Sequence, residues 1–239
     1  MGEISINPKF NIHETYKKVR ILNPYRHTAT LMPSEALVSY YKLDELSGNP
    51  IDFITGLSGV NYGAIQGQDG VLGTSYQFDG TSSYCDLGNT ISINNDSTIM
   101  FWVYVTKQAK QNPLQYGNYY DWGSINLFGG GDRISQAITF YYGKQGGGYD
   151  NFSARYGSDT YPLNAWFNCA IVRDHTDGIY RICMGGITIA THNTLNTAAV
   201  PPVGNFIIGD GYQDNLGGKM DELKIFNKAL TDEEIQSEM

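Results

Sequence analysis

Tyr116-Gly-Asn-Tyr-Tyr-Asp-Trp122 crowds aromatic rings among short polar side chains, and Tyr141, Tyr142 and Tyr149 follow among Gly, Gln and Asp. Aromatic faces stack on sugar C–H groups while Asn, Asp and Gln read hydroxyls, so Tyr119, Tyr120, Trp122, Tyr141, Tyr142 and Tyr149 are candidate ligand-binding residues. The same residue types also fill large loops or make Tyr-rich contacts between protein chains. A second set is acidic. Asp52, Asp221 and Glu222 come from opposite ends of the β-rich part. Brought together they would offer hard oxygen ligands of the kind calcium takes, in a structural role. The alternative is that Asp221 bonds backbone at a strand start and Glu222 faces water.

Catalysis has less to work with. Hydrolysis of a glycosidic bond needs two carboxylates flanking it. No Glu occurs between Glu45 and Glu222, and the Asp residues sit mostly beside Gly, Asn or Ser, as turn formers do. The four His lie in the N-terminal segment or beside turns. No nucleophile elbow, phosphate loop or zinc-protease motif is present. The chain is therefore expected to be non-enzymatic. Cys85, Cys169 and Cys183 fit no zinc spacing and are expected as buried thiols.

The elements that must position these residues are strands. Gly (28) and Tyr (18) are abundant, and charged residues are only 17% of the 239. That mix favours strands and turns over long helices. Short apolar runs such as Leu37–Leu43, Ser75–Phe78, Thr98–Tyr104, Trp166–Arg173, Ile179–Met184 and Lys219–Phe226 alternate with turn signals such as Asp79-Gly80, Asp177-Gly178 and Gly185-Gly186. Thr98–Val105 is apolar on both faces, which predicts a central strand covered twice. Thr231 followed by Glu234 predicts a capping box and a short C-terminal helix. The acids of that helix are explained by capping and by the helix dipole.

Residues 1–33 differ. They carry a net charge of +3 while the remainder carries −11, and hold Phe10, Ile12, Lys17, Lys18, Arg20 and Arg26. This segment is read as a basic arm that docks on a partner, and residues 34–239 as the domain proper. An acidic body repels nucleic acid and anionic membranes, so neither is an expected partner. No run approaches the ~20 apolar residues of a membrane span, and the first residues lack the apolar region of a signal peptide.

Two stretches carry a resemblance. Leu37-Val-Ser-Tyr-Tyr-Lys-Leu-Asp-Glu-Leu-Ser-Gly-Asn49 with Asp52, Tyr76-Gln-Phe-Asp-Gly80 and Tyr84 form the first. Gly217-Gly-Lys-Met-Asp-Glu-Leu-Lys-Ile-Phe-Asn-Lys-Ala-Leu-Thr-Asp-Glu-Glu-Ile235 forms the second. Both resemble the opening and closing signatures of laminin G-like, concanavalin A-like lectin domains, with Trp102 and Leu163–Asp174 agreeing in order between them. The resemblance implies an all-β, two-sheet antiparallel jelly-roll sandwich with first and last strands adjacent, an extended N-terminal arm and a short C-terminal helix. The Asn-Gly-x-Asp-Gly run common in the family is replaced here by Gly56-Leu-Ser-Gly-Val-Asn-Tyr-Gly63, which weakens a calcium site drawing on it. On these grounds the chain is expected to be a structural or adhesive component of a large assembly, a bacteriophage virion above all, anchored to other structural proteins by residues 1–33, with a homo-oligomer as a further option. The alternative is a lectin or carbohydrate-binding module at a cell surface or outside the cell, with a cell-surface glycan as partner.

Overall fold

A strand apolar on both faces needs a layer on each side, and Ser97–Val105 is buried along nearly its whole length. The structure, a computed structural model, describes residues 35–91, 96–107, 111–117, 125–129, 137–143, 149–154, 161–193, 204–211 and 214–239. The arm residues Phe10, Ile12, Lys17, Lys18, Arg20 and Arg26 lie outside them.

The described strands are, in chain order, β1 (Leu37–Tyr41), β2 (Val60–Tyr62), β3 (Ile65–Asp69), β4 (Thr74–Asp79), β5 (Tyr84–Asp86), β6 (Ser97–Val105), β7 (Gln111–Tyr116), β8 (Ile125–Gly129), β9 (Ile138–Gly143), β10 (Tyr149–Ala154), β11 (Trp166–Asp174), β12 (Ile179–Met184), β13 (Ile187–Asn193), β14 (Phe206–Ile208) and β15 (Gly217–Phe226). Helix α1 (Asp232–Glu238) follows. One sheet has eight strands in the order β13-β12-β11-β6-β15-β4-β3, with β1 also paired to β15. The other has seven, β10-β9-β8-β7-β14-β5-β2. The pairings between named strands are antiparallel, as the sandwich expectation requires. The first and last strands meet, with Ser39 opposite Ile225 and Tyr40 opposite Lys224.

The two sheets bury their facing side chains against each other. Tyr142 of β9 meets Tyr180 of β12 edge-on at 4.9 Å, and Phe140 meets the same ring at 6.1 Å. Phe101, Phe140, Phe206 and Ile208 are fully buried. Cys169 and Cys183 do not face each other: Cys169 opposes Met184 while Cys183 opposes Ala170. A one-residue offset puts them on opposite faces of the sheet. All three Cys are free and buried, and burial pushes their thiols up, Cys183 to about 11.

β7 is an unexpected sheet strand, since Pro113 cannot donate to a ladder. It is accommodated by a break in register between Gln111 and Leu114 against β8, while the Pro113 carbonyl accepts from Gly209 N at 2.9 Å.

The outer face of the eight-stranded sheet is covered by α1. Ile235 and Leu230 join Leu37, Met100, Ala170, Val172, Cys183 and Phe226 in one buried cluster. Asp232 pins the helix start, accepting from Thr188 N at 2.8 Å and pairing with Arg181 at 2.9 Å. The capping box is complete: Thr231 accepts from Glu234 N, and the Glu234 carboxylate accepts from Thr231 N. Thr231→Ala is expected to cost about 1 kcal/mol, a fall in melting temperature of roughly 2–4 °C for a domain of this size. A thermal melt checks it; an unchanged midpoint would mean that the Asp232 contacts and the packing of Leu230 and Ile235 set the helix without the cap.

Candidate functional site

The long strand β15 changes partner partway along. Its first half pairs β4, Gly217–Met220 lying opposite Asp79–Tyr76, and its second half pairs β1. Asp221 and Glu222 sit at the changeover, where the register against β6 slips between Asp221 and Lys224. The bulge puts Glu222 at φ 54, a left-handed conformation uncommon for a side chain of this size.

Each of the three carboxylates proposed for calcium accepts hydrogen bonds within the protein, while Glu222 Oε1 is left without a partner. Among the described residues no group of three or more His, Cys, Asp or Glu is arranged to hold a metal ion. Asp52 is buried, its Oδ1 accepting from Tyr40 N and Ile54 N and its Oδ2 from Ser39 Oγ and Thr55 Oγ1, all at 2.9 Å. It latches the turn after it onto β1. Asp221 is fully buried, and its Oδ2 accepts from Val71 N at 2.6 Å and Leu72 N at 3.2 Å. Its Oδ1 has no hydrogen-bond partner. Burial outweighs those two donors and raises its pKa to about 8, so Asp221 keeps its proton at neutral pH. The Glu222 carboxylate does not face water as the sequence alternative had it; it is 6% exposed and accepts from the Tyr40 hydroxyl at 2.5 Å. Burial raises its pKa too, against the Tyr40 hydrogen bond and the charges of Lys224 and Lys42.

The aromatic candidates divide. Tyr119, Tyr120 and Trp122 lie outside the described residues, as does the side chain of Tyr149. Tyr142 is a correction: at 2% exposure it is part of the core between the sheets and presents no face to a ligand. Tyr141, one residue before it, is half-buried on the opposite, outer face of the seven-stranded sheet.

Following the register from Tyr141 traces a row across that whole face. Val60 lies opposite Asp86, Asp86 opposite Ile207, and Ile207 opposite Gln115. Gln115 then lies opposite Asn126, Asn126 opposite Tyr141, and Tyr141 opposite Asn151. Their strand neighbours Cys85, Ile208, Leu114 and Phe140 are fully buried, so the strand alternation turns Asp86, Ile207, Gln115 and Tyr141 outward. At the β2 end, Tyr62 and Tyr84 stack with centroids 4.6 Å apart and planes 19° apart, and Tyr62 is 47% exposed. Asp86 accepts from Asn205 Nδ2 at 2.7 Å, and Gln115 donates to the Gly117 carbonyl at 2.8 Å. The Gln115 Oε1 acceptor is buried and has no partner. The face thus offers stacked rings at one end, a ring towards the other, and a carboxylate and amides between. Tyr62, Tyr84, Asp86, Gln115 and Asn205 were not legible as a site. They are scattered over 144 positions, and only the sheet order collects them.

Known structures share this architecture. Domain 4 of AbnA, a GH43 extracellular arabinanase from Geobacillus stearothermophilus solved with arabinotriose, superposes with a TM-score of 0.67 at 19% identity over 84% of this chain and 97% of that one. The binding domain of Paraclostridial Mosquitocidal Protein 1 gives 0.68 at 15% identity, over 85% of this chain and 51% of that one. Trypanosoma rangeli sialidase gives 0.61 at 13% identity, over 85% of this chain and 32% of that one. The chain therefore spans about half or less of the latter two, and at these identities the likeness is one of fold. No curated protein matches in sequence. The family described as the concanavalin A-like lectin/glucanases superfamily matches residues 79–236, most of the chain and the whole of its closing signature, and to that family the chain belongs.

Proposed function

We propose that the chain is a non-enzymatic carbohydrate-binding module whose ligand lies along the outer face of the seven-stranded sheet, between the Tyr62–Tyr84 pair and Tyr141. The row of register partners carries this reading: it sets flat aromatic surface beside a carboxylate and side-chain amides on one exposed sheet. Rings that are already stacked lose little freedom when a sugar lies against them, and this favours binding. The similar arabinanase domain, solved with arabinotriose, supports the ligand class. The composition of the sheet supports binding without turnover. Every strand of it falls between Val60 and Ile208, a region without Glu, and Asp86 is held by Asn205 and Gly88 N. No second carboxylate faces Asp86 in the row across which a glycosidic bond would lie.

A glycan array followed by titration calorimetry tests this. The Tyr62→Ala/Tyr84→Ala pair is expected to weaken oligosaccharide binding at least tenfold, about 1.4 kcal/mol. Full affinity in the double variant, or turnover of the bound oligosaccharide, would overturn the reading. An anchoring role for residues 1–33, and with it display on a large assembly such as a virus particle, is the second reading. What favours it is the step in charge from +3 in that segment to −11 after it.

A further inference from the structure

Among the described residues, nine of the ten large apolar side chains that stand exposed fall in one stretch, Leu46 to Leu72. Val60 and Tyr62 of these turn to the sheet face already described. The others include Leu46 at 76%, Phe53 at 58%, Ile65 at 54%, and Ile51 and Leu57 at 47% each. The stretch contains the edge strand of each sheet, β2 of the seven-stranded and β3 of the eight-stranded, so both layers end on this side of the sandwich. Hydrogen bonds hold it in shape. Asp52 N donates to the Leu57 carbonyl and Gly59 N to the Pro50 carbonyl. Glu45 accepts from Ile51 N and from the Tyr76 hydroxyl. The Leu46 side chain lies against Gly67 of β3.

We infer that this edge is a homodimer interface, the same apolar edge of a second copy of the chain being its partner. Charge decides who the partner is. The chain carries −8, yet no charged residue occurs from Phe53 to Gln68. A basic partner would be drawn to the acidic remainder of the surface. A second, equally acidic copy meets least repulsion where charge is missing, and a two-fold contact uses the same patch on both sides. Area agrees. The exposed apolar side chains here, Val60 and Tyr62 aside, offer roughly 600 Å² per copy, about 1,200 Å² for the pair, which is the lower bound of stable interfaces. A bilayer fits less well, because the turns at Gly56, Gly63 and Gly67 present backbone groups that hydrocarbon cannot satisfy. The contact is one of side chains rather than a continued ladder. β3 breaks register between Ile65 and Gln68, with Gly67 at φ 68, and such a bulge blunts an edge.

Sedimentation or light scattering of the full chain tests this. At about 100 µM, above the micromolar Kd of a weak interface of this size, the mass is expected to be twice 26.5 kDa. Ile65→Asp and, separately, Leu46→Asp are expected to return it to 26.5 kDa with an unchanged thermal midpoint, since both side chains stand in solvent. A wild-type chain that stays at the single mass overturns the inference. So does a dimer that persists in both folded variants, and so does a single-mass chain that sediments with neutral phosphatidylcholine vesicles.

Discussion

Asp52→Ala is expected to destabilise the chain by about 4 kcal/mol, lowering its melting temperature by roughly 8–16 °C. The argument is a count of stranded donors. The carboxylate accepts from Tyr40 N, Ile54 N, Ser39 Oγ and Thr55 Oγ1, and the residue is 3% exposed. The two hydroxyls can turn elsewhere when it is gone, but the two backbone N–H groups cannot. Each buried donor left without a partner costs about 1–3 kcal/mol, which places the change among the larger single-residue effects. Asp52→Asn separates the causes. It keeps the one acceptor oxygen that both backbone N–H groups use and turns an NH2 towards hydroxyls that can themselves accept, so only a small part of the loss is expected. A thermal or denaturant melt of both variants decides it. Equal loss in the two would mean that negative charge, not donor satisfaction, is what the site supplies. A loss below about 1 kcal/mol in the alanine variant would show that the Asp52 carboxylate is not what latches the turn to β1, leaving that to the Phe53 N–H on the Tyr40 carbonyl. Because that turn carries Phe53 and Leu57, the alanine variant should also blur the apolar edge.

The fold was largely legible because its strands announce themselves. Ile99, Phe101, Val103 and Val105 alternate with Met100, Trp102 and Tyr104, and a run buried on both faces found both covers, the opposite sheet and α1. The strands that went unread fail the apolar test for local reasons. β2 is three residues long and partly exposed, β3 is broken by Gly67, and β7 reads Gln-Asn-Pro-Leu-Gln-Tyr. Their identity as strands comes from neighbours far along the chain. The same limit governs the site. Asp52 lies near the start of the domain and Asp221 near its end, as a metal pair would, but whether a carboxylate faces an ion or a backbone N–H is set by Val71, Leu72 and Ile54, which carry no sequence signal of their own. Tyr141 and Tyr142 are adjacent and of one type. Strand alternation alone sends one outward and the other between Tyr180 and Phe140, and nothing in the dipeptide says which.

Stability should fall as pH rises from about 4 to about 8, the reverse of what most acidic domains are expected to do over the lower part of that range. Asp221 is the cause. Burial lifts its pKa from 3.8 to about 8. Between those values the folded chain holds a proton that the unfolded chain has released, so each unit of pH removes up to about 1.4 kcal/mol until the folded carboxyl also ionises. The contribution is fully present below the unfolded value and lost once pH passes the folded one. Glu222, raised by the same burial, acts with the same sign, while Lys42 and Lys224 beside it and Asp44 nearby set how steeply. Asp79 acts oppositely. Backbone N–H groups of Ser82, Ser83 and Thr81 hold its carboxyl well below the usual range, so its contribution is lost as pH falls below about 4. Together these place the optimum near pH 4–5, with a loss on the order of 5 kcal/mol by pH 8. Asp221→Asn tests the assignment. An amide oxygen can still accept from Val71 N and Leu72 N, and the group no longer titrates. Its melting temperature should fall much less across the window, by the Glu222 contribution alone, and exceed that of the unmodified chain at pH 8. A wild-type curve that is level or climbs between pH 5 and 8 would rule out a buried, protonated Asp221; an unchanged slope in the asparagine variant would move the effect to Glu222.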